Sequence, residues 1–276
     1  MNIAHARVLL TGATGGIGRV IAHQLSAQGA ALLLTGRDHA ALETLATELR
    51  QVGGKVATVA ADLTEATGRD RVAAAAARGS GVDVVIHNAG ANVSGMFEDL
   101  APEAIDTIVA ANVTAPIQLT RLLLPTLRNQ SEAMLLFMGS GFGAIGYPGF
   151  AAYSATKFAL RGFAEALRRE LADTAIAVVL LAPRAVDTPL NDSRVRSLHQ
   201  AAKMSVDPPE RIAVAVARLI HEPKNEVHIG WPERMFARLN RFAPGLIDNA
   251  LRKQLPDIRR PLQADCATSA SIRRSS

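Results

Sequence analysis

The sequence predicts an α/β fold built on one doubly wound, mainly parallel sheet of about seven strands, with helices on both faces. Two patterns carry that prediction. Seven short runs rich in Val, Leu and Ala are mostly apolar at successive positions, as strands covered on both faces must be. Longer helical segments alternate with them, and a glycine-rich turn joins the first run to the first helical segment.

In chain order the strand-like runs fall at residues 6–10, 31–35, 56–60, 82–87, 133–138, 175–181 and 226–229. The helical segments fall at 16–28, 38–52, 65–78, 102–128, 151–173 and 208–221. Asp38 is read as the N-cap of the second of these. At 276 residues, 49% hydrophobic and 20% charged, the chain can bury a full core as one large domain. Residues 1–231 form that domain, since no internal repeat or long linker divides them. A basic amphipathic extension at 232–260 and a tail at 261–276, expected to be disordered, complete the chain.

Composition removes several classes of function. Aromatic residues make up only 4%, too few for a reader of single-stranded nucleic acid by stacking, and no nucleic-acid partner is expected. Cys266 is the only cysteine, so a disulfide framework or a cysteine-based zinc site within one chain is ruled out; no metal is expected. The apolar run at the N-terminus is too short for a signal peptide, and no stretch approaches ~18 uninterrupted apolar residues. The cytoplasm is the expected location. The formal charge of +5 is unevenly placed: residues 232–276 hold nine basic residues against four acids, which accounts for all of it.

"TGATGGIG" sets Gly12, Gly16 and Gly18 at the first strand-to-helix turn. Glycines there permit a tight turn and close backbone approach to a pyrophosphate, which then faces the positive end of the helix dipole. The sheet is therefore read as Rossmann-type. The second strand ends in "LLLTGRD". Gly36 stands where an NAD enzyme usually has an acid for the ribose hydroxyls, and Arg37 follows, able to pair with a 2′-phosphate. NADP(H) is the expected cofactor.

With "TGATGGIG", "ADL" (61–63), "HNAG" (87–90), Asn112, Ser140 and "YSATK" (153–157) in this order, the chain resembles the short-chain dehydrogenase/reductase family over roughly residues 5–230. The resemblance implies cofactor contacts from Gly12, Thr14, Gly16, Ile17 and Gly18, and from Asp62 and Leu63 beside the adenine. Asn88, Ala89 and Gly90 would support the sheet and the adenosine-side ribose, and Pro183, Val186 and Thr188 would lie near the nicotinamide. It implies a catalytic group of Asn112, Ser140, Tyr153 and Lys157, with Tyr153 and Lys157 also touching the cofactor. It also implies a homo-oligomer, dimer or tetramer, often built through the helices carrying Asn112 and Tyr153. His87 replaces the usual first Asn of its motif and is read as a tolerated variation.

The chemistry of that group can be argued from residue types. Tyr153 and Lys157, four apart on a helix, share a face. A free phenol has a pKa of ~10, and a nearby ammonium would lower it towards the range of a general acid/base. Ser140 would hydrogen-bond the reacting oxygen. Asn112, mid-helix and of mediocre helix propensity, offers an amide to order water leading to Lys157. The expected reaction is hydride transfer between nicotinamide and a small-molecule carbonyl or secondary alcohol. Phe142, Ile145, Tyr147 and Phe150 suggest an apolar wall and hence a hydrophobic or extended substrate. The other tyrosine, Tyr147, has no cation four residues on and is read as a wall or structural residue.

Two regions depart from the pattern or leave alternatives open. In "APRAVDTPL" Arg184 replaces the family's usual Gly, and its side chain is expected to point to solvent. The segment between Thr188 and Val206 corresponds to the family's substrate flap and has no chemical signature. In the extension Met235, Leu239, Phe242 and Leu246 recur at helical intervals among Arg234, Arg238 and Arg241, and Pro244 should split the run into two helices. Packing on the core or on a second subunit, cover over the substrate pocket, and peripheral membrane contact all remain open for it.

Overall fold

The computed structural model describes residues 1–189, 191, 193–202, 204–231, 233–263 and 273–274. Seven strands form one sheet: β1 (Arg7–Thr11), β2 (Ala31–Gly36), β3 (Lys55–Ala60), β4 (Val84–His87), β5 (Ala133–Met138), β6 (Ile176–Ala182) and β7 (Glu226–His228). Every pair is parallel, in the spatial order β7-β6-β5-β4-β1-β2-β3. Consecutive apolar residues are needed because both faces are covered. In β5, Met134, Leu136 and Met138 face one buried layer, while Ala133, Leu135 and Phe137 face the other. The chain reverses its winding between β1 and β4. In such sheets the crevice at that switch, beyond the carboxyl ends of the strands, is where ligands bind.

One helical layer holds α1 (Gly16–Ala27), α2 (His39–Gln51) and α8 (Pro209–His221); the other holds α3 (Ala66–Ala76), α5 (Ala115–Arg128) and α6 (Ala151–Glu170). Asp38 caps α2, accepting from the Ala41 N–H at 3.1 Å. Helix α4 (Pro102–Val109) runs into α5 through a π-helical turn, Ala110–Thr114. The span Pro102–Arg128 is long and apolar enough to cross a bilayer. It is nonetheless a core helix here, because Leu119, Leu123 and Leu127 are fully buried against the sheet.

Beyond the sheet, α7 (Ser193–Ala201) occupies the flap region, and Ala185–Val186 pairs in parallel with Val206–Asp207 beside it. The extension folds as α9 (Glu233–Phe242) and α10 (Pro244–Gln263), with Pro244 opening the second helix. Ile258 and Leu262 of α10 pack with Phe150 and with Val195 and Leu198 of α7. Residues 261–263 are thus helical. The rest of the tail expected to be disordered, Cys266 included, lies outside the described residues apart from Arg273–Arg274, which pairs antiparallel with Ala91–Asn92.

Candidate active site

The loop after β1 is shaped by what its glycines lack. Gly12 has φ +61°, and a Cβ there would stand 2.8 Å from the Ala89 Cα. A Cβ on Gly18 would fall 2.0 Å from the Gly12 carbonyl oxygen. No side chain caps α1, whose N-cap is Gly15, so its first N–H groups are left for a ligand. Thr14 Oγ1 in the same loop is buried with no hydrogen-bond partner. A buried orphan hydroxyl beside an uncapped helix N-terminus fits an anionic phosphate group.

Asn88 ties this loop to the end of β4. Its amide nitrogen donates to the carbonyls of Thr11 and Gly12, both at 3.0 Å, while the N–H groups of Asn88 and Ala89 donate to Thr11 Oγ1. A narrow cleft of about 40 Å³ continues from here, bordered by Gly12, Gly36, Arg37, Asp62, Leu63 and Ala89. Thr35 Oγ1, also in its wall, is a second buried hydroxyl without a partner. Arg37 is exposed, and among the described residues it makes no ion pair. Asp62 accepts from the N–H and hydroxyl of Thr64 at 2.9 and 2.6 Å, which fixes its carboxylate at the end of β3.

On the other side of Gly90 a larger cavity opens, of about 460 Å³. Gly15, Gly16, Ile17, Gly18, Asn88 and Gly90 form one end; Ser140, Tyr153, Lys157, Pro183, Val186 and Thr188 border it further along. Thr188 crosses directly over Gly16, where a Cβ would come within 2.9 Å of the Thr188 Cβ. Asn191 donates to the Val186 carbonyl at 2.7 Å and holds that strand end in place.

Tyr153 and Lys157 share one face of α6, as their spacing requires. Lys157 is buried; its Nζ donates to the Met138 carbonyl at 3.0 Å and lies 5.6 Å from the centroid of the Tyr153 ring. Burial pulls the Lys157 ammonium down to about 8. Burial also raises the Tyr153 phenol, and a hydrogen bond with Ser140 partly lowers it again. The expected lowering of Tyr153 by Lys157 therefore does not hold: the ammonium is turned to a carbonyl, and removal of the phenol from water outweighs the favourable contacts. Ser140 Oγ also accepts from the Phe142 N–H at 3.1 Å.

Asn112 sits inside the π-helical turn, where the register of the long helix changes. Its Oδ1 accepts from the Ala91 N–H at 2.7 Å, and its amide nitrogen donates to the Ala91 carbonyl and Thr156 Oγ1 at 2.9 and 3.1 Å. The amide is thus committed to protein groups instead of the water-ordering use expected of it. Asn112 positions the strand that borders the cavity and the helix that carries Tyr153.

Arg184 corrects another expectation. Its side chain turns inward, with Nε and Nη2 donating to the two carboxylate oxygens of Asp207 at 2.9 and 2.7 Å. Arg211 adds a bond at 2.8 Å to the same carboxylate. Asp207 is 2% exposed; burial pushes its pKa up, but the two guanidiniums outweigh that and hold it low. The fork ties the loop after β6 to α8, a purpose that a Gly cannot serve.

The family model for short chain dehydrogenases matches residues 6–198. The chain belongs to the short-chain dehydrogenase/reductase family. Members of this family are oxidoreductases, and the chain is similar to a nodulation protein G from Rhizobium sp. (strain N33), 35% identical over 214 residues, or 76% of this chain and 84% of that protein. A solved 3-ketoacyl-(acyl-carrier-protein) reductase from Brucella melitensis, complexed with NADH, superposes with a TM-score of 0.74 at 27% identity, covering 84% of this chain and 99% of that one. A short-chain dehydrogenase from Sphingobium yanoikuyae in complex with NADPH superposes with a TM-score of 0.77 at 25% identity, covering 88% and 95%.

Within this short-chain dehydrogenase/reductase several pocket residues carried no sequence signal. Asn92 borders the cavity with a buried Oδ1 that has no partner. His199 of α7 borders it too, and so do Phe236, Ile247, Leu251 and Gln254 of the extension. The extension therefore helps to enclose the large cavity, besides packing on the core. Phe142 stacks on Tyr147 with centroids 4.8 Å apart and lies 5.1 Å from Phe150, which forms the apolar wall read from the sequence. Among the described residues no group of three His, Cys, Asp or Glu is placed to hold a metal.

Proposed function

We propose that this protein is an NADP(H)-dependent oxidoreductase that moves hydride between the nicotinamide and a carbonyl or secondary alcohol on a lipophilic, extended substrate. The observation that carries the reading is one shared cavity: Tyr153, Ser140 and Lys157 border the same space as the uncapped, glycine-lined start of α1.

When bound, the cofactor supplies or accepts the hydride at the substrate carbon. In reduction the Tyr153 phenol gives its proton to the substrate oxygen as the carbon takes the hydride; in oxidation the phenolate takes that proton back. Ser140 donates to the same oxygen and steadies its growing charge. Lys157, held by the Met138 carbonyl, stands beside the Tyr153 ring and would hold the nicotinamide ribose. Asn112 keeps Ala91 and Thr156 in register for the group.

Three features support NADP(H). Gly36 ends β2 with no acid for the ribose hydroxyls, Arg37 is exposed at the cleft, and Asp38 is engaged as the cap of α2. The similar solved structures include one with NADH and one with NADPH, so their ligands do not choose between the two. A lipophilic substrate is supported by the stacked Phe142–Tyr147 pair and by Val195, Ile247 and Leu251 around the cavity. Self-association through α4 and α6 is supported by Val109 and Phe158, exposed apolar residues on those helices.

The test is oxidation of NADPH and of NADH by the purified protein over a panel of ketones, aldehydes and acyl-linked carbonyls. NADPH is expected to outperform NADH, and Tyr153→Phe to abolish turnover while cofactor binding persists. Preference for NADH would remove the role given to Arg37, and full activity in Tyr153→Phe would remove the mechanism.

A further inference from the structure

Helix α9 meets the body of the protein with its least apolar edge. Ala237 is buried, Asn240 donates to the Ala144 carbonyl at 2.9 Å, and Arg241 reaches Glu226 at 3.4 Å. On a helical projection Met235 and Phe242 fall on a different side, with the half-buried Leu239 between that side and the inner edge. Phe242 is 88% exposed, Leu246 at the start of α10 is 60% exposed, and Trp231 just before α9 is 75% exposed. Met235 and Phe236 are exposed as well. An apolar stripe turned outward, on a helix whose inner edge is fixed by small and polar contacts, is unusual for a water-facing surface.

Charge chooses between the occupants of such a stripe. Residues 233–263 hold seven basic side chains against three acids. Among the described residues Arg234, Arg238, Arg252, Lys253 and Arg259 have no acidic partner. A second copy of the same face would bring Arg234 and Arg238 of α9 against their counterparts. An anionic lipid surface would meet both the cations and the apolar stripe. The face also adjoins the pocket. Phe236 is both exposed and part of the cavity wall, and the exposed Ala250 and Gln254 of α10 border the cavity too. The mouth of the cavity therefore opens beside the stripe.

We propose that α9 and the start of α10 seat this protein on an anionic lipid surface. Trp231, Met235, Phe242 and Leu246 enter the interface, and the carbonyl or alcohol substrate reaches the cavity from the lipid. The delivery of substrate rests on the oxidoreductase reading given above; the seating does not.

Trp231 is the only tryptophan in the chain, so it reports directly. Full-length protein would be mixed with phosphatidylcholine vesicles and with vesicles also containing phosphatidylglycerol. The expected result is co-sedimentation with the anionic vesicles, a blue shift of Trp231 emission, and quenching by lipids brominated in the acyl chain. In Phe242→Ser/Leu246→Ser partitioning should fall about tenfold or more, with thermal unfolding in buffer unchanged. Arg234→Glu/Arg238→Glu should lose the preference for anionic vesicles. Wild-type protein left in the supernatant with unshifted Trp231 emission overturns the seating. So does a dimer that Phe242→Ser/Leu246→Ser dissolves without any vesicle binding, which would make this face a contact between copies.

Substrate delivery is read separately. On a long-chain carbonyl carried in vesicles, Phe242→Ser/Leu246→Ser should turn over about tenfold more slowly, while its rate on a short water-soluble carbonyl is retained. Equal rates on both overturn delivery from the lipid and leave the seating intact. No turnover of either carbonyl by wild type would instead count against the oxidoreductase reading.

Discussion

Lys157 lies against the ring of Tyr153, its Nζ 5.6 Å from the ring centroid, and donates to the Met138 carbonyl instead of the phenol oxygen. Burial lowers this ammonium from 10.5 to about 8. Below pH 8 Lys157 is charged in both the folded and unfolded states, and its burial is a constant cost. As pH rises from 8 to 10.5 the folded state loses the proton first and the cost is relieved. The protein should therefore gain stability over that window, relative to Lys157→Met, by about 1.4 kcal/mol per pH unit. Chemical denaturation of both proteins across the window checks this, and parallel curves would show that Lys157 is not held charged in a buried site.

Ser140 lowers the Tyr153 phenol against the upward push of burial. Ser140→Ala should therefore raise it. In the direction that oxidises an alcohol, the phenolate is the active form, so the rate rises with pH through the Tyr153 pKa. The variant should lose roughly 10²-fold in kcat at neutral pH, and its rise should begin at higher pH than in wild type. A lower kcat with an unmoved pH profile would mean that Ser140 contacts substrate without tuning the tyrosine.

The sheet was legible because most of its seven strands are runs of consecutive apolar residues alternating with helical segments; β7, only Glu226–His228, has the least such signal. The predicted strand ends lie within about two residues of those observed, the ordinary uncertainty of element boundaries. The start of the site was legible because chain order alone brings the Gly12–Gly18 turn and the end of β4 together at the switch point. What could not be read depends on contacts distant in sequence. Nothing near Arg184 announces Asp207, which comes 23 residues later across a two-residue strand pair. The irregularity at Asn112 was foreseeable from its propensity; the partner of its amide, Ala91 on another element, was not. The sequence pattern of α9 named its apolar stripe, but only packing shows that the stripe faces outward.

Arg184→Gly restores the family's usual residue and leaves Asp207, 2% exposed, with Arg211 as its remaining guanidinium partner. Removing one partner of a buried ion pair costs roughly 3–5 kcal/mol, and Arg211 should limit the loss here to about 2 kcal/mol. The folded-state pKa of Asp207 is lowered, so the stabilisation is present above the ordinary value of 3.8 and fades as pH falls through the lower folded value. Urea denaturation at neutral pH should show the full difference between wild type and variant, narrowing in acid below 3.8. An equally stable variant would mean that the fork contributes nothing and that Arg211 alone holds the carboxylate.

His87 replaces a motif asparagine, and its ring lies flat on Phe137 with centroids 4.8 Å apart. Thr120 gives its one hydroxyl proton to the Pro116 carbonyl at 2.7 Å, so the contact at 2.9 Å requires His87 Nε2–H to donate to Thr120 Oγ1. That bond fixes the proton on Nε2, and burial, which drops the pKa from 6.5 to about 3, keeps the ring neutral. Between those values the unfolded chain takes up a proton that the folded protein refuses, so stability falls with pH by about 1.4 kcal/mol per unit. His87→Asn gives up the stacked ring and should be less stable at pH 7.5 by roughly 1–2 kcal/mol. It also gives up the acid sensitivity, so the gap should shrink as pH falls below 6.5 and close near pH ~5. Thermal or urea unfolding of the two proteins down to pH ~4.5 is the measurement. A gap that stays constant with pH would show that the neutral ring is not what couples this part of the core to acid.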